Sequence, residues 1–189
     1  MKQRSGRVVG LFGLPCSGKT TVAKGLLGAS REIIAHISTG DIVRGMATTD
    51  DVAHMAEGNM YPNEERIRAE IIKLVDKRRG QGAEVVVIDS CPRFDDQVKW
   101  MLEQQWVGTP NDGMLIQIRG DELVKRAQIR SRDNQDSIDA LEKKIKKHQH
   151  MIDDMEKLIF KYGIPYYTVM NTDAIQATTH LAKLLGLRK

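Results

Sequence analysis

The chain has 189 residues, of which 41% are hydrophobic and 29% charged, with a net charge of +4 and two cysteines. That length supports one full hydrophobic core, and two cysteines exclude a disulfide scaffold and a four-cysteine zinc site. No run approaches the roughly twenty apolar residues of a membrane span, and aromatics at 5% are too sparse for a base-stacking platform on nucleic acid.

The basic start Met1-Lys2-Gln3-Arg4 precedes an apolar run that reads better as a first strand than as a secretory signal, so the expected compartment is the cytoplasm. That run, residues 8–12, leads into Gly13-Leu14-Pro15-Cys16-Ser17-Gly18-Lys19-Thr20, then Thr21 and the helically spaced Val22-Ala23-Lys24-Gly25-Leu26-Leu27. The pattern is G-x-x-x-x-G-K-[ST] in the setting it requires: strand, loop, helix. Phosphates are wrapped there by backbone N–H groups at a helix N-terminus, and Gly13 and Gly18 allow the turn that aims them. Lys19 supplies a point charge for the β- and γ-phosphates, and Thr20 supplies a hydroxyl for Mg²⁺. The competing reading is an ordinary strand-to-helix turn. Cys16 reads as a small residue in that turn, with a reactive thiol as its alternative.

Four more apolar, β-rich runs follow at 33–37, 85–88, 114–118 and 166–169, separated by helical patterns. Runs apolar at nearly every position predict parallel strands buried on both faces, hence a doubly wound α/β sheet that binds ligands beyond the carboxyl ends of its strands. The second run ends in His36-Ile37-Ser38-Thr39-Gly40-Asp41-Ile42-Val43-Arg44, where Ser38 or Thr39 can cap a helix. Next comes Gly58-Asn59-Met60-Tyr61-Pro62-Asn63-Glu64-Glu65. Pro62 suits a helix's first turn, Glu64 and Glu65 its positive end, and Lys77-Arg78-Arg79-Gly80 its close, with Ile67, Ile71, Leu74 and Val75 inward. Residues 38–68 read as a small mobile helical insert over the sheet.

The third run ends at Asp89, followed by Ser90-Cys91-Pro92-Arg93-Phe94-Asp95-Asp96-Gln97. A carboxylate closing a strand beside a phosphate loop suits Mg²⁺, held directly or through water. Asp95 and Asp96 are expected to cap a helix whose core face is Val98, Met101 and Leu102. After the fourth run come Arg119, Arg126, Arg130 and Arg132, with Arg126 and Arg130 on one helical face. They form either a solvated basic face or a clamp of forked donors on a transferring phosphoryl group. Residues 135–162 predict one long amphipathic helix. Ile138, Leu141, Ile145, Ile152, Met155 and Ile159 form its apolar stripe, and Lys143, Lys144, Lys146, Lys147, His148 and His150 mostly its wet side. A coiled-coil dimer would need more heptads than this, so a monomer is expected. Asn171-Thr172-Asp173 is expected to cap the last helix.

Across nearly its whole length the chain resembles the adenylate kinase family of nucleoside monophosphate kinases. The resemblance rests on the ordered series of phosphate loop, Ser38-Thr39-Gly40-Asp41-Ile42-Val43-Arg44, Gly58-Asn59-Met60-Tyr61-Pro62-Asn63-Glu64, and Asp89-Ser90-Cys91-Pro92-Arg93 with Gln97. It implies a P-loop NTPase fold in a single domain with an acceptor-binding insert at 38–68 and a very short lid at 126–137. It also implies that Gly13, Cys16, Ser17, Gly18, Lys19, Thr20, Thr21 and Arg126 hold ATP, with Thr20 and Asp89 on Mg²⁺. Thr39, Arg44, Asn59, Met60, Tyr61, Arg93, Gln97, Arg130 and Arg132 would hold the monophosphate, and Lys19, Arg93, Arg126 and Arg130 would surround the moving phosphoryl group. Thr39 and Gln97 point to AMP or dAMP, because similar pyrimidine kinases usually carry alanine and asparagine there. The chain departs from the family at Ser90-Cys91, Phe94 and Met60-Tyr61, in its shortened lid, and in lacking an arginine near Leu141, where Lys143 or Lys144 stands close by. The expected reaction is reversible transfer from ATP to AMP. The rivals are a kinase for another monophosphate and a nucleotide-binding or RNA-associated regulator with weak transfer.

Overall fold

The computed structural model describes residues 6–29, 33–51, 63–108, 113–123, 126 and 138–187. Its centre is a five-stranded sheet in the order β2-β3-β1-β4-β5, every adjacent pair parallel. The strands are β1 (Arg7–Phe12), β2 (Ile34–Ser38), β3 (Val85–Asp89), β4 (Gly113–Gly120) and β5 (Tyr166–Asn171). All five apolar runs are therefore strands; four are extended by a residue or two at their ends, and the second is shifted by one, Ile33 lying before β2. The helices are α1 (Lys19–Ala29), α2 (Thr39–Met46), α3 (Glu64–Gly80), α4 (Asp95–Glu103), α5 (Ile138–Lys161) and α6 (Ala174–Leu184).

Alternation along the strands sends successive side chains to opposite faces, and both faces are covered. Val8, Ile37, Val86, Ile88 and Leu115 pack with Ile67, Ile71 and Val75 of α3, Val98 and Met101 of α4, and Ile152, Met155 and Ile159 of α5. Val9, Leu11, Val87, Ile116 and Ile118 pack on the other side with Val22 and Leu26 of α1 and Leu181 of α6. Full burial of one such side chain contributes roughly 1.5–3 kcal/mol, so the two layers hold the sheet rigid beneath the loops at its carboxyl edge. β5 departs from the expectation of burial on both faces. It is one of the two edge strands, and Tyr167 and Met170 are 43% and 54% exposed.

Helix starts follow local polar chemistry. Ser38 caps α2 by accepting the Asp41 N–H, which leaves Thr39 as the first helical residue, turned inward and buried. α3 is capped by Asn63, whose side chain accepts the Arg66 N–H; Pro62 lies outside the described residues. Asp173 caps α6 as expected, accepting from Ile175 and Gln176. Asp95 and Asp96 do not cap α4. Phe94 occupies the N-cap without a side-chain bond, and Asp95 and Asp96 lie one and two positions further in. There they face the helix's positive end and take Lys99 at 3.3 Å and 2.8 Å. Among the described residues no helix is long and apolar enough to cross a membrane.

Candidate active site

The register puts Leu11 and Ser38 opposite Asp89 and pairs Gly120 with Asn171. The segments leaving β1, β2, β3 and β5 therefore emerge side by side along one edge. The phosphate loop bridges β1 and α1 with positive φ at Gly13 (144°), Cys16 (63°) and Gly18 (86°). Glycine is required twice. A Cβ on Gly13 would lie 2.2 Å from the Ile118 carbonyl oxygen, and one on Gly18 would lie 2.0 Å from Asn171 Nδ2. Cys16 holds a left-handed backbone with a side chain present, which costs on the order of 1 kcal/mol. Ser17 is fully buried. Lys19 Nζ donates to the carbonyls of Gly13 and Leu14 at 2.9 Å and 2.8 Å, so the ammonium is held across the loop it serves. Thr20 and Thr21, the next residues of α1, are exposed at its N-terminal end.

Thr20 Oγ1 donates to Asp89 Oδ2 at 2.6 Å, and Ser90 Oγ donates to Oδ1 at 3.2 Å. Asp89 is 1% exposed. Burial pushes its carboxyl up, but the His36 imidazole, the Thr20 hydroxyl and the Lys19 charge outweigh that and hold it below the usual carboxylate range. His36 Nε2 lies 3.7 Å from Asp89 Oδ2, too far for a hydrogen bond, and is a buried nitrogen without a hydrogen-bond partner. Among the described residues no group of three or more His, Cys, Asp or Glu side chains gathers to cage a metal. Thr20 and Asp89 nonetheless present adjacent hard oxygens at the phosphate loop, and this donor set fits Mg²⁺, which is bound by one or two protein oxygens plus phosphate and water.

Across from Asp89 stands the expected acceptor side. Thr39 Oγ1 reaches the Asp89 carbonyl at 2.8 Å and accepts from Arg93 Nη2 at 3.4 Å. Arg93 Nε donates to the Ser90 carbonyl at 3.1 Å. Burial loosens the Arg93 proton, and the charges of Asp89 and Glu64 oppose that, so a cation is fixed between the two halves of the site. Gln97 is buried, accepting the Arg93 N–H through Oε1 and donating through Nε2 to Glu64, each at 2.7 Å. Arg44 is exposed on α2 and bonded to Asp41, yet near enough for its charge to be felt at Arg93.

Arg126 Nη2 donates to the Asn171 carbonyl and to Asp121, both at 2.6 Å, and its Nη1 lies 3.7 Å from where a Gly18 Cβ would be. It therefore stands against the phosphate loop. Arg119 does not join it, binding Glu156 at 3.1 Å instead. Asn59, Met60, Tyr61, Arg130 and Arg132 lie outside the described residues.

Asn171 is not among the expected site residues. Its Nδ2 donates to the Ser17 carbonyl at 2.8 Å, and its own carbonyl takes Arg126. The available signal is its place at the carboxyl end of a parallel strand. His148 corrects the expected wet face of α5. It is half-buried, its Nδ1 lies 2.6 Å from the Lys144 carbonyl, and burial together with the charges of Arg93, Lys19 and Lys147 lowers its proton affinity. It precedes Ile152 by four residues and so continues the buried stripe. Lys144 is half-buried and Lys143 exposed, so of the two lysines near the expected arginine it is Lys144 that turns inward.

A family model described as an AAA domain matches residues 12–146. The chain is similar to an adenylate kinase of a Nitratiruptor species, 24% identical over 160 residues and 82% of each chain. It is also similar to one of Nautilia profundicola, 26% identical over 163 residues, 81% of this chain and 82% of that one. An adenylate kinase of Helicobacter pylori is 33% identical over 95 residues, 47% of this chain and 48% of its own. Among solved structures, a sugar kinase from Janibacter sp. HTCC2649 superposes with a TM-score of 0.65 at 16% identity, covering 96% of this chain and 95% of the other, which supports the fold. With its phosphate loop, strand-end carboxylate and parallel five-stranded sheet, the chain belongs to the AAA domain family as a divergent adenylate kinase-like member on the P-loop NTPase fold.

Proposed function

We propose that the chain is a cytoplasmic nucleoside monophosphate kinase that moves the γ-phosphoryl of ATP to AMP or dAMP and yields two diphosphates. The observation that carries this reading is the Thr39 bridge. The buried Thr39 hydroxyl touches both the Asp89 backbone and Arg93, so a metal-and-triphosphate side and an acceptor-phosphate side share one wall. A protein that only sensed ATP would have no use for the second side.

Phosphoryl transfer asks the protein for positioning and charge neutralisation rather than covalent chemistry. Lys19 and the loop N–H groups hold the β- and γ-phosphates, and Arg126, tied to Asn171, approaches them from the β5 side. Arg93 and Arg44 take the acceptor phosphate, with Arg130 and Arg132 joining from the lid. Mg²⁺ held near Thr20 and Asp89 would neutralise charge that accumulates between the β- and γ-phosphates. In this reading 38–68 and 126–137 are the insert and lid that close over the nucleotides and exclude water. The reading of a regulator with weak transfer draws on one feature: near Leu141, where a forked donor is expected, the chain offers Lys143 or Lys144, and lysine does not replace a fork in full.

Coupled ADP formation with ATP and Mg²⁺ against AMP, dAMP, GMP, CMP, UMP and dTMP tests the proposal. Fastest turnover with AMP or dAMP supports it, and a different best acceptor reassigns the pocket. ATP binding without turnover of any acceptor rejects it in favour of the regulator.

A further inference from the structure

β5 ends the sheet, and its outer edge is open. The Leu115 N–H donates to the Pro165 carbonyl at 2.9 Å, so the Pro165 peptide oxygen faces β4. Backbone groups alternate sides along a strand. Tyr167, Val169 and Asn171 therefore also face β4, while the N–H and C=O of Tyr166, Thr168 and Met170 point outward. Along β2, the other edge, no residue is exposed, whereas on β5 Tyr167, Thr168 and Met170 are. An edge strand is commonly guarded by a charge or a proline, and Tyr166–Asn171 carries neither.

Apolar surface gathers at the same place. Of the large hydrophobic side chains exposed among the described residues, Ile33 alone lies elsewhere; Phe160, Tyr162, Tyr167, Met170 and Ile175 lie on β5 or beside it in the chain. They occupy both faces of the edge. Phe160 stands edge-on to Tyr166 with 5.9 Å between ring centres, and Met170 is on the Tyr166 face of the strand. Tyr167 is on the opposite face with Val169, the side on which α6 packs, and Ile175 lies in the first turn of α6.

We propose that β5 pairs with β5 of a second copy of this chain, antiparallel about a two-fold axis through Thr168, joining the two sheets into one. The register follows from the outward groups. Thr168 exchanges both backbone bonds with Thr168 of the second copy, and Tyr166 exchanges both with Met170, so every outward peptide group of the strand is satisfied. The side chains match in that same register. Phe160 and Tyr166 at the amino end of one strand meet Met170 at the carboxyl end of the other, an aromatic and thioether contact. On the opposite face Tyr167 comes towards Ile175. Lys161 precedes β5 and Asp173 follows it, both exposed, so the antiparallel alignment sets opposite charges together at each end. A parallel alignment would set like charges together and would not close into a dimer.

The exposed portions of Phe160, Tyr167, Met170 and Ile175 amount to about 450 Å² per copy, taking roughly 200 Å² for a large side chain. The pair thus covers about 900 Å² before the strand backbone is counted, near the lower end of about 1,000–1,200 Å² for a specific interface. The dimer is accordingly weak, with a Kd of about 1–100 μM. It is built on β5 and not on the α5 stripe, whose heptads are too few for a coiled coil.

Sedimentation velocity on the whole protein from about 1 to 500 μM tests the proposal. The wild type should pass from monomer to dimer and stop there. Thr168→Lys sets like charges face to face on the axis, and Met170→Lys sets one against Tyr166; each should raise the dimer Kd at least about tenfold. Ile33→Lys removes an exposed apolar side chain away from β5 and should leave the Kd unchanged. Thermal melting of each variant controls for folding. Thr168→Cys reports the register, because residues paired on the axis have Cα atoms about 5.5 Å apart, within reach of a disulfide. Under mild oxidation it should give a covalent dimer that wild type, with Cys16 and Cys91, does not. A wild type that stays monomeric throughout overturns the proposal and leaves the edge to a strand from another protein. A dimer that survives both lysine substitutions, or one that Thr168→Cys does not link, overturns the β5 register. Growth beyond the dimer overturns the closed two-fold arrangement.

Discussion

Thr20 and Asp89 are 69 residues apart in the chain, yet the threonine hydroxyl donates to the carboxylate at 2.6 Å. The contact exists because β1 and β3 are neighbours in register, Leu11 opposite Asp89, so the helix leaving the phosphate loop starts directly above the end of β3. In one contact it joins the two groups whose oxygens fit a hard cation. Asp89→Asn keeps the shape and removes the charge. Transfer should fall by about a hundredfold or more, and the Mg²⁺ concentration for half-maximal rate should rise, with melting little changed. A Mg²⁺ titration of both proteins checks this; identical curves would remove Asp89 from the metal site.

Asn171 holds the far side of the loop. Its side chain binds the Ser17 carbonyl while its backbone carbonyl binds Arg126. Asn171→Ala removes the only one of these two bonds that depends on the side chain and leaves the buried Ser17 carbonyl short of a donor. Loss of such a partner costs about 1–3 kcal/mol. Calorimetry should therefore find ATP binding about tenfold weaker and melting lowered. Unchanged ATP affinity would restrict Asn171 to holding the fold.

Lys19 separates chemistry from folding. Its ammonium binds two loop carbonyls in a half-buried setting that water can re-enter, so Lys19→Ala should melt within a few degrees of wild type. Its kcat should fall by about two to four orders of magnitude, because the lost charge acts where the phosphoryl group carries it. Normal turnover by this variant would defeat the phosphate-loop mechanism.

The strands and the phosphate side are legible in the sequence because their signals are local. A parallel strand buried on both faces needs apolar residues in succession, as Val85 to Ile88 provide, and the loop needs its glycines and Lys19 at fixed spacing. Asp89 is legible because a lone carboxylate closes such a run. Asn171 is not, since its reach to Ser17 depends on β5 lying beside β4 and on Gly120 pairing with Asn171. The bond between Glu64 and Gln97, 33 residues apart, likewise exists only once α3 and α4 pack on one face. Asp95 and Asp96 mislead because a carboxylate just before an apolar pattern suits both the cap and the first turn, and one residue of phase separates them. His148 misleads because its polarity argues for solvent while its spacing of four from Ile152 argues for the stripe, and the spacing wins.

His148 gives a pH dependence of definite sign. Burial lowers its proton affinity most, the Lys144 carbonyl works against that, and the charges of Arg93, Lys19 and Lys147 lower it further, so the folded pKa lies below the ordinary 6.5. Between the folded value and about 6.5 the unfolded chain binds more protons than the folded one. The contribution is therefore fully present above about 6.5 and is lost as pH falls from there through the folded value. His148→Gln removes the titrating group. Urea unfolding at pH 7.5, 6.5 and 5.5 should show the variant gaining on wild type as pH drops, by at most about 1.4 kcal/mol per pH unit for one proton. Parallel stability curves would mean that the imidazole titrates alike in both states, and the half-buried placement of His148 on α5 would have to be abandoned.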